Sequence, residues 1–314
     1  MATITPPMAR FPLSTLAMPS VGHAESSDMS IASPQTTTSL SYRQVETSKP
    51  TGIIEPHPIV GDRVIEGDGT SQETWTSWSG LQALPRLNVK KHFSPHQRVC
   101  VFAPHPDDEI LGCGGLLQHL AANGNPILLV HVTNGTQSHP NSKTYSPQKL
   151  NDIRPQESLA ALAALGIAHQ VTSISLELTD GNVFAEQTEL HEKLAAIVRA
   201  DDILVTPFMH DGHPDHEATG QVVSAFAATH RLDCYQVLIW AWHWAKPADS
   251  RIPWQHACRI DLSTEQLARK TQAIECFESQ TTIDDSTGSP PVLSEQTIAR
   301  VNQPWEVYLY EPTI

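Results

Sequence analysis

Pro104-His105-Pro106-Asp107-Asp108-Glu109 follows a short apolar run ending at Ala103, and Asp211-Gly212-His213-Pro214-Asp215-His216 echoes it far downstream. His105 and Asp108 stand three residues apart, so a chain that turns into a helix just after a strand lets both side chains face one point. His213 and His216 repeat that offset. A divalent metal held by His105, Asp108 and His216 would keep a coordination position for water, which is the ligand count of a catalytic rather than a structural zinc site. Such a metal polarises a carbonyl and lowers the pKa of its water from about 16 toward about 7. Asp107, beside a ligand and uncommitted, is placed to take the proton as that water attacks. His213 can reach the other side of a substrate to stabilise an oxyanion or protonate a leaving amine. Asp215 is expected to hydrogen-bond the His213 imidazole and hold it protonated. Together these residues make a hydrolase for a carbonyl bond.

Neighbouring residues read more plainly. Glu109 is expected to complement the dipole of a helix N-terminus. Gly112, Gly114 and Gly115 lack the Lys-Ser/Thr that follows a phosphate loop, so close backbone packing is their reading. Cys113 is a small packing residue, since thiolate ligands come in spaced pairs. Arg154 follows a polar loop and is a candidate anchor for a polar substrate. The run Trp240-Ala241-Trp242-His243-Trp244 is expected to continue a strand, its aromatics alternating between faces and packing at the core and the rim.

The elements that must position these groups alternate. Apolar runs predict strands at 99–103, 127–132, 171–176, 203–207, 236–242, 257–261 and 307–310, and helical patterns fall at 112–123, 147–165, 186–199, 216–229 and 264–279. Trp75, Trp78, Leu81 and Leu84 predict a further short amphipathic helix over 72–84. This order points to an α/β fold, a Rossmann-like three-layer sandwich with a mainly parallel sheet, in which ligands collect beyond the carboxyl ends of the strands. Both histidine motifs begin where a predicted strand ends, which places them on one rim.

Composition narrows the class. A formal charge of −14 argues against nucleic-acid and anionic-membrane partners, because phosphate binding needs clustered Lys and Arg. Five scattered cysteines without a Cys-x-x-Cys read as reduced and imply a cytoplasmic location. No run reaches the roughly 20 apolar residues of a transmembrane span, and Pro and Ser interrupt the only stretch that resembles a signal peptide. Residues 1–60, rich in Ser, Thr and Pro, are expected to be a disordered arm preceding one domain over 61–314.

Ala-Pro-His-Pro-Asp-Asp-Glu after the first strand, with His-Pro-Asp-His far downstream, resembles the LmbE-like or PIG-L family of zinc-dependent deacetylases, which remove acetyl groups from N-acetylglucosaminyl conjugates. The resemblance covers roughly 97–245. It implies His105, Asp108 and His216 as ligands of Zn2+ (Fe2+ could take its place), Asp107 as general base, His213 as electrophile or acid, and Arg154 as a substrate contact. The expected function is removal of an N-acetyl group from a small-molecule or glycoconjugate substrate. Two rivals stand beside it. One is a non-haem iron facial-triad enzyme, which shares the two-histidine, one-carboxylate set; the other is a catalytically silent sugar-binding protein of the same fold. Selectivity falls to loops at 136–146, 178–186 and 243–256.

Overall fold

Runs of Val, Ile, Leu and Phe whose residues are buried on both faces belong in the middle of a covered parallel sheet, and they lie there. The computed structural model describes residues 63–310. The expected arm over 1–60 lies outside the described residues. The strands are β1 (Val99–Ala103), β2 (Ile127–His131), β3 (Val171–Ser175), β4 (Ile203–Pro207), β5 (Cys234–Val237), β6 (Ala257–Asp261) and β7 (Trp305–Tyr310), arranged β3-β2-β1-β4-β5-β7-β6. The first five are parallel, while β7 runs antiparallel between β5 and β6.

The helices are α1 (Gln72–Thr76), α2 (Ser79–Ala83), α3 (Val89–His92), α4 (Asp108–Asn123), α5 (Pro147–Ala164), α6 (Gln187–Ile197), α7 (Pro214–His230), α8 (Ala241–Trp244), α9 (Thr264–Glu275), α10 (Glu278–Thr281) and α11 (Glu295–Val301). Alternation along β1 divides the core into two layers. Val99, Val101 and Ala103 pack with Ile110 and Leu117 of α4, whereas Cys100 and Phe102 face Leu190 and Leu194 of α6 and Val223 and Phe226 of α7. The three-layer α/β sandwich expected from the sequence is therefore present.

Strand order reverses between β1 and β4. The crevice at such a switch point is where open α/β sheets bind ligands, and both histidine motifs leave the sheet there. Gly220 lets α7 settle against the end of β4, since a Cβ at that position would lie 2.6 Å from the Pro207 carbonyl oxygen.

Several boundaries differ from the pattern. The helix after β1 begins at Asp108 rather than at 112. The strand expected over 236–242 stops at Val237, and Ala241–Trp244 turn into α8. The cause is Asp211, whose carboxylate accepts the backbone N–H groups of Ile239, Trp240 and Ala241 at 3.0, 2.9 and 2.9 Å and so winds the chain out of the sheet. The helix expected over 72–84 breaks at Ser77 into α1 and α2, with Trp75 buried and its indole N–H donated to the Trp242 carbonyl at 2.8 Å.

Candidate active site

The end of β1 delivers His105, and the first turn of α4 delivers Asp108. The Asp108 carboxylate oxygen Oδ2 lies 3.2 Å from His105 Nδ1 and 3.2 Å from His216 Nε2 on α7, and it accepts the His105 backbone N–H at 2.9 Å. His216 is fully buried and its Nε2 has no hydrogen-bond partner, while its Nδ1 meets the Asp211 carboxylate at 2.9 Å. A carboxylate on the far nitrogen fixes the imidazole so that Nε2 presents its lone pair to the site. Burial disfavours a charged His216, yet Asp108 and Asp211 hold its imidazole up to about 9. A proton there occupies the place where a metal cation would satisfy the same carboxylates.

Tetrahedral zinc with bonds of about 2.0 Å sets its donors about 3.3 Å apart, and the Asp108 oxygen meets that spacing to both imidazoles. Histidine and carboxylate donors of the kinds a divalent metal takes therefore gather here, although the groups whose donor atoms all lie close to one another do not include Asp108. Among the described residues, two overlapping groups bring donor atoms close enough to share an ion: His105, His213 and His216, and His105, Asp180 and Asp215. Asp180 was not singled out from the sequence. It arrives from the loop after β3, with its carboxylate 3.2 Å from His105 Nε2 and accepting the Gln137 N–H at 2.6 Å. The turn signal Asp180-Gly181-Asn182 marks a loop but not its destination.

Asp107 has φ 143° and ψ −30°, a conformation that L-residues rarely adopt, and as the residue before α4 it makes no side-chain cap. Its backbone N–H is held by Glu109 Oε2 at 3.0 Å, and Glu109 Oε1 accepts from Ser158 Oγ at 2.5 Å. Glu109, 1% exposed, lies in the first turn of α4 as expected and is also a buried clamp on Asp107. The Asp107 carboxylate takes one N–H from Arg154 at 2.9 Å, and Arg154 also donates to the carbonyls of Gly135 and Pro106 at 2.8 Å each. Burial pushes the Asp107 carboxyl up to about 7, against the pull of Arg154. Arg154, expected as a substrate anchor, therefore spends three bonds on Asp107 and the backbone around it while still lining the cavity.

His213 stands just before α7. Its Nδ1 accepts the Asp215 backbone N–H at 3.2 Å, which assigns the ring proton to Nε2. Burial, reinforced by His105 and His216, pushes its imidazole down to about 3. The expected ion pair between the Asp215 carboxylate and a protonated His213 is not formed. That carboxylate turns to His105 Nε2 at 3.2 Å and accepts the N–H groups of Gly181 and Val183, from the loop after β3, at 2.7 and 3.2 Å. His105, Asp107, Asp108, Arg154, Asp180 and His213 line one cavity of about 280 Å³, with Trp240 and Leu293 on its apolar side. Its volume lies at the small end of ligand pockets, roughly 300–1,000 Å³.

Residues 100–227 match the family described as PIG-L: GlcNAc-PI de-N-acetylase. A 1D-myo-inositol 2-acetamido-2-deoxy-alpha-D-glucopyranoside deacetylase of Corynebacterium efficiens is 26% identical over 168 residues, covering 46% of this chain and 53% of that protein. A diacetylchitobiose deacetylase of Thermococcus kodakarensis is 22% identical over 149 residues, covering 46% and 54%. The chain spans little more than half the length of these two relatives. Among solved structures, a deacetylase of the teicoplanin biosynthesis pathway in complex with teicoplanin superposes with a TM-score of 0.50 over 68% of this chain and 98% of its own, at 19% identity, a likeness of fold.

Proposed function

We propose, from the match of residues 100–227 to the PIG-L family, that this chain is a metal-dependent amidohydrolase that removes the N-acetyl group from an N-acetylglucosamine-type conjugate. The observation that carries the proposal is the placement of Asp107. A carboxylate held on a strained backbone stands beside the donor set His105, Asp108 and His216, with the neutral His213 lining the same cavity. The names of the relatives, all deacetylases of acetamido sugars, support the same class.

Held by His105, Asp108 and His216, a divalent metal would supply a Lewis acid for the amide carbonyl and a lowered pKa for water; two imidazoles and one carboxylate suit zinc, and iron(II) as well. Asp107, titrating near neutrality, takes the proton of the attacking water as the oxygen–carbon bond forms, then returns it to the amide nitrogen as the carbon–nitrogen bond breaks. Acetate and a free amine are the products. His213 donates its Nε2–H to the carbonyl oxygen as charge develops there, and it does so as a neutral imidazole. Arg154 holds the Asp107 carboxylate in line, and Asp215 and Asp180 set the outer face of His105. The helices α4 and α7 both aim their N-terminal ends at this point, which favours the negative charge of the transition state.

Small glycoconjugates are the proposed substrates. A cytoplasmic location is proposed with them, supported by five free cysteines among the described residues. No helix of the described residues is long and apolar enough to cross a membrane.

Acetate release from a panel of N-acetylglucosamine conjugates, by protein stripped of metal and reloaded with zinc or iron(II), tests the proposal. Metal-dependent release that drops ~10²-fold or more in Asp107→Asn is expected. Full turnover in Asp107→Asn removes the base from the mechanism. Oxygen consumption coupled to turnover favours the facial-triad reading, and stoichiometric metal with no hydrolysis of any acyl amide favours the silent binder.

A further inference from the structure

We infer that residues 63–70 form a strap that positions the 211–216 loop, and with it His213 and His216, through an ion pair between Arg63 and Glu217. The inference rests on the proposed hydrolase for its activity readout, and on geometry for everything else.

The strap is tied at both ends. At its C-terminal end Arg300 of α11, 4% exposed, donates to the Thr70 carbonyl at 2.7 Å and to the Asp68 carbonyl, and its third contact is His243 Nδ1 at 3.2 Å. His243 in turn donates Nε2–H to the Glu66 carbonyl at 3.1 Å and accepts the Thr70 N–H on its own carbonyl at 2.8 Å. His243 belongs to α8, the helix wound by Asp211. A buried arginine and a buried histidine are therefore committed to backbone groups of a segment that has no regular secondary structure.

At the other end Arg63 grips Glu217 with two bonds, at 2.9 and 3.1 Å. Glu217 follows His216 directly, is 7% exposed, and accepts the Gly212 N–H at 3.0 Å with the oxygen that also takes the Arg63 Nε–H. Gly212 has φ 101°; a Cβ there would lie 3.0 Å from the Arg63 carbonyl oxygen and 2.8 Å from the Trp244 indole. The same indole donates its N–H to the Asp211 carbonyl at 2.7 Å. Asp211 orients His216, and Gly212 is peptide-bonded to His213. The strap thus backs the loop from outside, and the shared carboxylate of Glu217 links the guanidinium to the N–H of Gly212, the residue before His213. Two forked bonds fix direction as well as distance, which is what a loop carrying a hydrogen-bond donor to a transition state requires.

Arg63 is accordingly a positioning residue, acting through Glu217. None of the residue spacings that mark the site points to it, because it lies 154 positions from its partner.

The test uses the full chain loaded with zinc for kinetics and with cobalt(II) for visible spectroscopy, in Arg63→Met, Arg63→Lys, Glu217→Gln and the Arg63→Met/Glu217→Gln double variant. Arg63→Met is expected to lower kcat ~10-fold to ~100-fold, the usual effect of an outer-shell partner, with KM within about twofold and a changed cobalt spectrum. Arg63→Lys should recover part of the loss, and the double variant should be no worse than the poorer single, the mark of coupled residues. Wild-type kcat and an unaltered cobalt spectrum in Arg63→Met overturn the inference. So does a lowered unfolding temperature with kcat and spectrum intact below it, which would leave the strap a structural tie only, and so do additive effects in the double variant. If the wild-type protein hydrolyses no conjugate, the deacetylase reading falls, and the cobalt spectra alone decide the strap.

Discussion

Replacing Glu109 with alanine tests the link between backbone strain and the proposed base. Asp107 sits at φ 143° because its N–H is caught by the Glu109 carboxylate at 3.0 Å while Arg154 holds its side chain. Residues kept in such regions carry ~1–3 kcal/mol of strain that the surroundings must hold in place. A hydrogen bond to a charged acceptor contributes ~1.5–3 kcal/mol, about the same amount. Removing the acceptor therefore tips the balance: the peptide before Asp107 is free to rotate toward ordinary φ, and the carboxylate moves with it. A displacement of about 1 Å costs ~10²-fold in rate, or about 3 kcal/mol of barrier. We expect kcat/KM of Glu109→Ala to fall ~30-fold to ~100-fold in the acetate-release assay. Metal content, measured by atomic absorption, should stay at the wild-type ratio, because the hydrogen bonds of Glu109 run to Asp107 and Ser158 rather than to His105, Asp108 or His216. Glu109→Gln keeps one carbonyl oxygen for the Asp107 N–H and should fall between the two. Wild-type kcat/KM in Glu109→Ala would refute the reasoning, and loss of metal would relocate the fault to the donor set.

Three predictions concern stability. Lys270→Met strands the buried carboxylate of Glu306, which now answers Lys270 Nζ at 2.7 Å together with the N–H groups of Gly115 and Leu116; a loss of ~3–5 kcal/mol, at ~2–4 °C per kcal/mol, should lower the melting temperature by about 10 °C in calorimetry. Gly220→Ala drives a methyl toward the Pro207 carbonyl, 2.6 Å away, and should cost ~1–3 kcal/mol by urea unfolding. Burial would raise the Asp202 carboxyl, but Arg98 and the Arg199 N–H hold it below its ordinary 3.8; its stabilisation is complete above that value and fades as pH falls through the lowered one, so in chemical unfolding Asp202→Asn should lose stability at pH 7 and show a smaller acid-induced decline than wild type.

The parts of the fold that were legible are those where one local pattern decides. β1, β4 and β6 match their expected spans because five apolar or alternating residues between turn formers allow little else. The six residues singled out by type and spacing in the two motifs all meet at the β1/β4 crevice, since each motif starts where its strand stops. What was not legible depends on partners distant in sequence. α8 replaced a strand because Asp211 reaches its N–H groups from another loop, some 28 to 30 residues away. The antiparallel edge follows from β7 inserting between β5 and β6, a pairing that no strand's own composition encodes. Asp211 stood inside the second motif and still carried no signal of its role, because an aspartate before a glycine looks like any turn.

Local rules fail where the chemistry is concentrated, and the failures are informative. A residue preceding a helix is expected to cap it with an oxygen. Asp107 is the right type and makes no cap bond, while His213 is the wrong type and spends Nδ1 accepting the Asp215 N–H. An aspartate that declined to cap α4 did so because its carboxylate is taken by Arg154 and its backbone by Glu109. A histidine that caps α7 gains a defined tautomer in return, with Nε2–H left to donate. In both cases a helix start that is poor for local stability leaves a polar group oriented toward one cavity, the trade expected at a functional site. Restoring a good cap is therefore the wrong way to stabilise this protein: His213→Ser should hold the α7 N-terminus at least as well, and by circular dichroism leave the fold intact, while removing the proposed donor to the amide oxygen and lowering kcat ~10²-fold or more. Undiminished kcat in His213→Ser would mean that the histidine is there for the helix, and the oxyanion would need another donor.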